Sequence, residues 1–545
     1  MATGSSAYPS AISSGNARKR TLLGVGAVLL VAIVVVAVLA FALSGVTLAS
    51  DPTALARVSV QPLGGTIEHV HAYGPNGQLV PLAISGGRLT PLERLTPGEQ
   101  VSVDVVVRRP GWLGWALGSR RSEHLTLRAP VAQVSERWIT VATGSHVRVS
   151  FEQPVSAVTY EGTGGATHRK LADPRSSISL GAQPATGAVE IAAAARPWEK
   201  LGPPTLVSWF PPSRSPVMVA VPAARSRISP STTVYLTFSK PVSEVLGSSR
   251  PDLSPSTQGH WREPNSHTLA FTPSGFGAAL GSQLRMQLPH AVSVTASSGS
   301  SLHTTSQVEW TVPAGSTLRL QQLLAQQGYL PVDWQPSGAE VPRTPSAQAR
   351  AAVEPPNGSF NWRYANTPHQ LHEMWNPDQA SLITKGAVMK FENENDLTVD
   401  GLPGPTVWRK LLADALAGKR TSSPYSYVYV HREVPETATL WSAGRTIISS
   451  PANTGISGAE TELGTFAVFE HLPETTMSGT NPDGSHYEDH GIKWVSYFNG
   501  GDALHNFDRS SFGTPQSLGC VELPLAASAE IWPYTPIGTL VTIET

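Results

Sequence analysis

A ten-residue phrase occurs twice, 87 residues apart: Val147-Arg-Val-Ser-Phe-Glu-Gln-Pro-Val-Ser156 and Val234-Tyr-Leu-Thr-Phe-Ser-Lys-Pro-Val-Ser243. In each copy apolar and polar residues alternate, as along a strand buried on one face. A proline then closes the phrase where a central ladder would need an N–H. A period of that length suits a β-sandwich, and it predicts two in succession, at about 130–222 and 223–315. The neighbouring residues read the same way from Arg57 to about Gly315. Short Val/Thr/Leu runs such as Val101-Ser-Val-Asp-Val-Val-Val107 are separated by Gly, Pro and Ser turns, and 52–129 reads as a further β domain. Glycine and proline, 48 and 46 of 545 residues, are too many for a helical bundle and lack a collagen period.

Within this region Phe238-Ser-Lys-Pro-Val242 and Phe271-Thr-Pro-Ser274 resemble pieces of bacterial Ig-like domains. The resemblance implies spacer modules, and no catalytic cluster stands out among them.

Thr21 to Leu43 is free of charge and rich in Val, Leu and Ala. At ~1.5 Å per residue it is long enough to cross a hydrocarbon core of ~30 Å. Arg18, Lys19 and Arg20 precede it and the next basic residue is Arg57, so the positive-inside rule holds 1–20 in the cytoplasm and sends the rest outside. The expectation is a single-pass anchor at 21–43, with a signal peptide cleaved near Thr47-Leu-Ala49 as the alternative. With 39 basic and 40 acidic residues the net charge is −1, which gives no general attraction to nucleic acid. The one cysteine, Cys520, excludes an intramolecular disulfide framework and zinc sites built on several cysteines. Outside the cytoplasm a lone thiol is either an accident or a working group.

Helical periodicity enters after residue 315. Leu318, Leu320, Leu323, Leu324 and Tyr329 fall in one short run, followed by a Pro/Ser/Ala-rich insertion over about 331–358. A second run, Gly386-Ala-Val-Met-Lys-Phe-Glu-Asn-Glu-Asn395, leads through a Gly/Pro turn into Thr406-Val-Trp-Arg-Lys-Leu-Leu412, and the three predict a small bundle. Leu397-Thr-Val-Asp-Gly401, Gly404-Pro405 and Val407-Trp408 resemble the peptidoglycan-binding domain of wall enzymes over 316–418. Phe391, Val407 and Trp408 read as core residues, so wall binding is what the resemblance implies.

From 421 to 545 strand-like runs return: Tyr425-Ser-Tyr-Val-Tyr-Val430, Thr446-Ile-Ile448, Thr465-Phe-Ala-Val-Phe469, Trp494-Val-Ser-Tyr-Phe498 and Gly538-Thr-Leu-Val-Thr-Ile543. Helical period competes only near Leu525–Ile531. His505 precedes Cys520 by fifteen residues. An imidazole within reach of a thiol converts it to thiolate and imidazolium, the reactive form at neutral pH. Gly519 permits a tight turn and would leave backbone N–H groups for an oxyanion. On this spacing alone an inert buried cysteine is the better reading.

His505 followed by Ser517-Leu-Gly-Cys520 resembles the signature of the L,D-transpeptidase family, the YkuD catalytic domain. Glu462-Leu-Gly-Thr-Phe466 and Trp494-Val-Ser-Tyr-Phe-Asn-Gly-Gly501 look like further family segments, and Tyr487 sits where the family often has an active-site tyrosine. Three positions depart: Asn506 for the glycine after histidine, Leu518 for a second histidine, and Glu522 for arginine or asparagine. The order His then Cys differs from papain-like and NlpC/P60-type enzymes, and a sortase would need an arginine after the cysteine, where this chain has none. His486 and His490 suggest a zinc site less well than a lid-forming loop over 478–492, because Gly484 and Gly491 flank them.

The chain is thus read as multidomain and mainly β, with an N-terminal transmembrane helix, Ig-like sandwiches, a small helical bundle and a catalytic domain at 421–545. The resemblance implies peptidoglycan stem peptides and glycan strands as partners, no cofactor and no metal. It implies Cys520 as nucleophile, His505 as base, and Ser517, Gly519 and Tyr487 in support. The reaction implied is 3→3 cross-linking through a thioester. L,D-carboxypeptidase activity and a catalytically degenerate wall-binding scaffold are the alternatives.

Overall fold

The computed structural model describes residues 17–162, 165–289, 292–294 and 306–545. The chain divides into two compact units, Met1–Pro212 and Ser213–Thr545.

The first unit begins with α1 (Ala17–Ala42), a helix of 26 residues. Its described side chains start at Val28, and Val28, Leu30, Val36 and Phe41 among them are exposed. Residues 28–42 span about 22 Å at ~1.5 Å per residue, short of a hydrocarbon core of ~30 Å. Among the described residues no helix is long and apolar enough to cross a membrane. The span expected at 21–43 therefore turns on residues 21–27, whose side chains lie outside the described set, as does the tail 1–16.

The run at Val101–Val107 becomes the middle strand, Gln100–Arg108, of a three-stranded sheet with Thr66–Tyr73 and Arg120–Arg128. Val101, Val103, Val105 and Val107 are wholly buried, as the alternation predicts. The first copy of the repeat lies in the long strand His146–Gly162, with Val147, Val149 and Phe151 buried. The strand does not break at Pro154. The register passes from Ser150 opposite Ser177 to Val155 opposite Arg175, so the proline sits in a bulge that needs no ladder bond. His146–Gly162 and Gly165–Ala182 run continuously within one five-stranded sheet with Gly187–Ala194, Thr205–Phe210 and Trp138–Thr140. Of the residues expected as a two-sheet sandwich over 130–222, the strands from Trp138 to Phe210 thus form a single sheet.

In the second unit the second copy, Val234–Phe238, pairs with Val217–Val221 and Thr268–Pro273. Here the strand stops at Phe238, and Pro241 precedes a single helical turn, Val242–Val245. This five-stranded sheet and a three-stranded one enclose Phe238, Leu269, Met286 and Trp310. Val217–Val221 belongs to this sheet, so the module takes in residues that the repeat assigned to its predecessor.

The helical runs appear as α2 (Thr317–Gln326), α4 (Leu382–Glu394) and α5 (Pro405–Ala417). Ser316 caps α2 by accepting from the Arg319 N–H, and α5 starts on a proline and ends on Gly418 in the left-handed region. The insertion is ordered: Val332–Pro336 pairs with Gly358–Trp362, and α3 (Pro345–Val353) lies between them. Leu323, Phe391, Val407, Trp408 and Leu411 are buried together, in one core with Tyr427, Trp441 and Leu540. The helices and the C-terminal sheet therefore share their apolar interior.

The C-terminal residues form nine strands and a short helix, α6 (Leu525–Ile531). The strands are β1 (Ser426–His431), β2 (Thr437–Ser442), β3 (Arg445–Pro451), β4 (Gly464–Ala467), β5 (Glu470–Thr480), β6 (His486–Asn499), β7 (Asp502–Asn506), β8 (Val521–Leu523) and β9 (Leu540–Glu544). They make two sheets, ordered β3-β2-β1-β9-β4 and β5-β6-β7-β8. Val428, Leu440 and Val541 of the first pack with Phe498, Leu504 and Val521 of the second.

Candidate active site

β7 and β8 are parallel neighbours, with Leu504 opposite Val521 and His505 opposite Glu522. Leu504 and Val521 are buried in the core between the sheets. Successive strand residues alternate faces, so His505, Cys520 and Glu522 project from the other face. Parallel pairing thereby turns a fifteen-residue separation into neighbouring positions on one surface. That surface opens on a cavity of about 640 Å³ lined by His505, Ser517, Cys520, Tyr487, Asp502 and Arg509.

The turn into β8 depends on Gly519. Its φ is +118°, and a Cβ there would stand 2.3 Å from Asp502 Oδ1. Ser517 Oγ donates to the Cys520 carbonyl at 2.6 Å and accepts from the Gly519 N–H at 3.2 Å. Ser517 therefore ties its own turn rather than touching the imidazole. The Gly519 N–H, expected to be open to an oxyanion, is engaged by that hydroxyl. Buried Thr461 fixes the turn from behind, donating to the Gly519 carbonyl at 2.7 Å while accepting from the Gly455 N–H at 2.9 Å.

His505 is 3% exposed, and its Nδ1 lies 2.8 Å from the Asn506 carbonyl. A carbonyl only accepts, so Nδ1 carries the proton and Nε2 is left as the base. A backbone atom makes this contact, so it does not depend on the side chain at 506. Burial lowers the imidazole pKa. Cys520 is partly exposed, and its thiol donates to the Gly501 carbonyl at 3.7 Å. Burial pushes the thiol up to about 12, and the charges of Asp502 and Glu522 act in the same direction. Both shifts favour neutral forms. They work against the thiolate–imidazolium pair expected from the sequence.

Glu522 is 3% exposed and takes a two-point contact from Arg509, at 2.8 and 2.6 Å. Arg509 also donates to the Gln516 carbonyl at 3.1 Å and lies over the Phe507 ring at 4.5 Å. A cation thus stands beside the site although position 522 is acidic. The sequence reading missed Arg509, Thr461 and Asp502; the acidic residue at 522 was the one available signal, because a buried carboxylate requires a partner. Burial lifts Asp502 to about 6, with Glu462 adding to the effect.

The segment 478–492 is a hairpin of β5 and β6 rather than a loop, with Gly479 opposite Tyr487. Met477, Asp483, Tyr487 and Asp489 give the cavity one wall. Burial, and next the charge of Cys520, raises the Tyr487 phenol pKa. His486 and His490 lie along a strand, about 13 Å apart at ~3.3 Å per residue, too far to share a metal. Among the described residues no group of three or more His, Cys, Asp or Glu could hold an ion.

Residues 425–543 match the YkuD family model, the L,D-transpeptidase catalytic domain. The match takes in β1 to β8, β9 as far as Ile543, and both His505 and Cys520. No curated protein matches the chain. Among solved structures, an L,D-transpeptidase from Mycobacterium smegmatis is 12% identical, covering 61% of this chain and 99% of that one, with a TM-score of 0.21. L,D-transpeptidase 3 from Mycobacterium tuberculosis, in complex with a faropenem-derived adduct, is 10% identical over 60% and 98%, also at 0.21. The catalytic domain of the E. faecium L,D-transpeptidase is 22% identical over 23% and 99%, at 0.20.

Proposed function

We propose that the YkuD domain of this chain is a peptidoglycan L,D-transpeptidase that forms 3→3 cross-links through a thioester on Cys520. The observation that carries the reading is that Cys520 and His505 line one cavity, with Nε2 as the available base. Cys520 Sγ attacks the carbonyl of the L-centre of diaminopimelate, and the thiol proton passes to His505 and on to the departing D-alanine amine. The side-chain amine of a second stem then attacks the thioester. His505 takes a proton from that amine and returns it to the leaving sulfur. Because thiol and imidazole start neutral, proton transfer accompanies attack instead of preceding it.

Incubation with a carbapenem should add one drug mass to the protein at Cys520, and Cys520→Ala should abolish both adduct and turnover while unfolding at the same temperature. Muropeptide analysis of treated wall then separates cross-linking from L,D-carboxypeptidase release of D-alanine, which needs only water in place of the amine. The thiol's rise to about 12 favours a second reading, a degenerate wall-binding scaffold. An accessible Cys520 that forms no adduct would establish it.

In the same proposal 21–43 anchors the chain in the cell membrane and the remainder works in the wall. The β modules hold the enzyme away from the membrane, and 316–418 grips glycan strands and raises local substrate concentration. Protease shaving of intact spheroplasts should remove the catalytic domain; its full protection would place it in the cytoplasm and overturn the orientation.

A further inference from the structure

A second cavity, of about 450 Å³, lies among α2, the ordered insertion and the end of α5. Arg319, Arg343, Lys419 and Arg420 line it, against one acid, Glu340. Arg319 is 3% exposed. Its two terminal nitrogens donate to neutral amides, Gln322 Oε1 at 3.0 Å and Gln348 Oε1 at 2.8 Å, and its Nε has no partner. Burial pulls the guanidinium down only to about 10, so it stays charged at neutral pH. A buried cation without a counter-charge is strongly destabilising, and proteins ordinarily pair it with a carboxylate. No ion pair involves Arg319, Arg343 or Arg420 among the described residues, and Lys419 alone reaches an acid, Asp414, at 3.4 Å.

We infer that this cavity binds an oxyanion, the carboxylate or phosphate of a sugar-sized ligand. Arginine forks suit either group, and the two exposed arginines at the mouth would steer it toward Arg319. Trp334 supplies an apolar wall beside the exposed amides of Gln326 and Gln335, a lining suited to a sugar ring. Most of the lining comes from the insertion and from the residues just after α5, so the site belongs to this chain's elaboration of the bundle. It is independent of the chemistry at Cys520.

The test is calorimetric titration of the full chain with inorganic phosphate, N-acetylmuramic acid and neutral N-acetylglucosamine. One or both anions should bind saturably and the neutral sugar should not. Phosphate alone would assign a phosphorylated ligand, and the sugar acid alone a carboxylate. Arg343→Gln/Arg420→Gln removes two exposed charges and should weaken anion binding by about tenfold or more, with Cys520 acylation unchanged. Arg319→Gln should abolish it; if that variant does not fold, the double variant decides. Absence of saturable heat with both anions, or equal binding by the double variant, would overturn the inference.

Discussion

The protonation state of the resting dyad can be measured directly. Cys520 is pushed up to about 12 and burial lowers His505, so even against an ordinary imidazole at ~6.5 the proton transfer from sulfur spans about 5.5 pH units. That gap corresponds to about 7.5 kcal/mol. Even if the charges so formed came into direct contact at ~4 Å, an effective dielectric near 20 would return only about 4 kcal/mol. Roughly 3 kcal/mol remains, which leaves the ion pair below about 1% of the resting protein. Thiolate absorbance, taken as the difference between wild type and Cys520→Ser, should therefore stay flat between about pH 5 and pH 9 and rise only above that range. A difference at pH 7 exceeding about a tenth of the fully ionised signal, and lost in His505→Gln, would refute the reasoning. It would mean that solvent in the cavity or the dyad's own geometry stabilises the charges beyond what burial allows.

Gly519→Ala would put a methyl 2.3 Å from Asp502 Oδ1 at a φ of +118°. A loss of about 2–4 kcal/mol in denaturant unfolding, with slowed carbapenem acylation, is expected; wild-type behaviour in both would show that the turn has slack. Arg509→Met would leave the Glu522 carboxylate buried and unpaired, at about 3–5 kcal/mol, whereas Arg509→Met/Glu522→Leu should recover most of that. An additive double-mutant cycle would show that the pair is not coupled. Glu392 is wholly buried, with Oε2 accepting from Asp400 N–H at 3.1 Å and Gly401 N–H at 2.8 Å, and burial lifts it to about 7 from 4.5. The folded state thus holds this proton more tightly than the unfolded chain. The resulting stability is complete below about pH 4.5 and disappears as pH rises through about 7, about 3 kcal/mol in all. Glu392→Gln should remove that slope, and parallel stability–pH curves for the two proteins would contradict the assignment.

Local pattern determined much of this protein before any tertiary contact was known. Alternation placed Val101–Val107 on a strand, with Val101, Val103, Val105 and Val107 inward, and helical period placed α2, α4 and α5. The order and spacing of His505, Ser517, Gly519 and Cys520 carried the resemblance that the family match to 425–543 supports. These features persist because each depends on residues close in sequence: strand parity, an N-cap, a glycine in a positive-φ turn. Features set by distant residues were not legible. Pro154 reads as a strand breaker, yet a bulge opposite 175–177 absorbs it; the Pro/Ser/Ala-rich insertion showed no element of its own in the sequence, yet it folds against α2 and α5. The pairing of Arg509 with Glu522, and the hydroxyl of Thr461 behind Gly519, join segments whose register only the sheet sets. The charge state of the dyad reversed for the same reason. A histidine and a cysteine alone suggest an ion pair, but burial decides which protonation state survives, and burial is a property of the assembled fold.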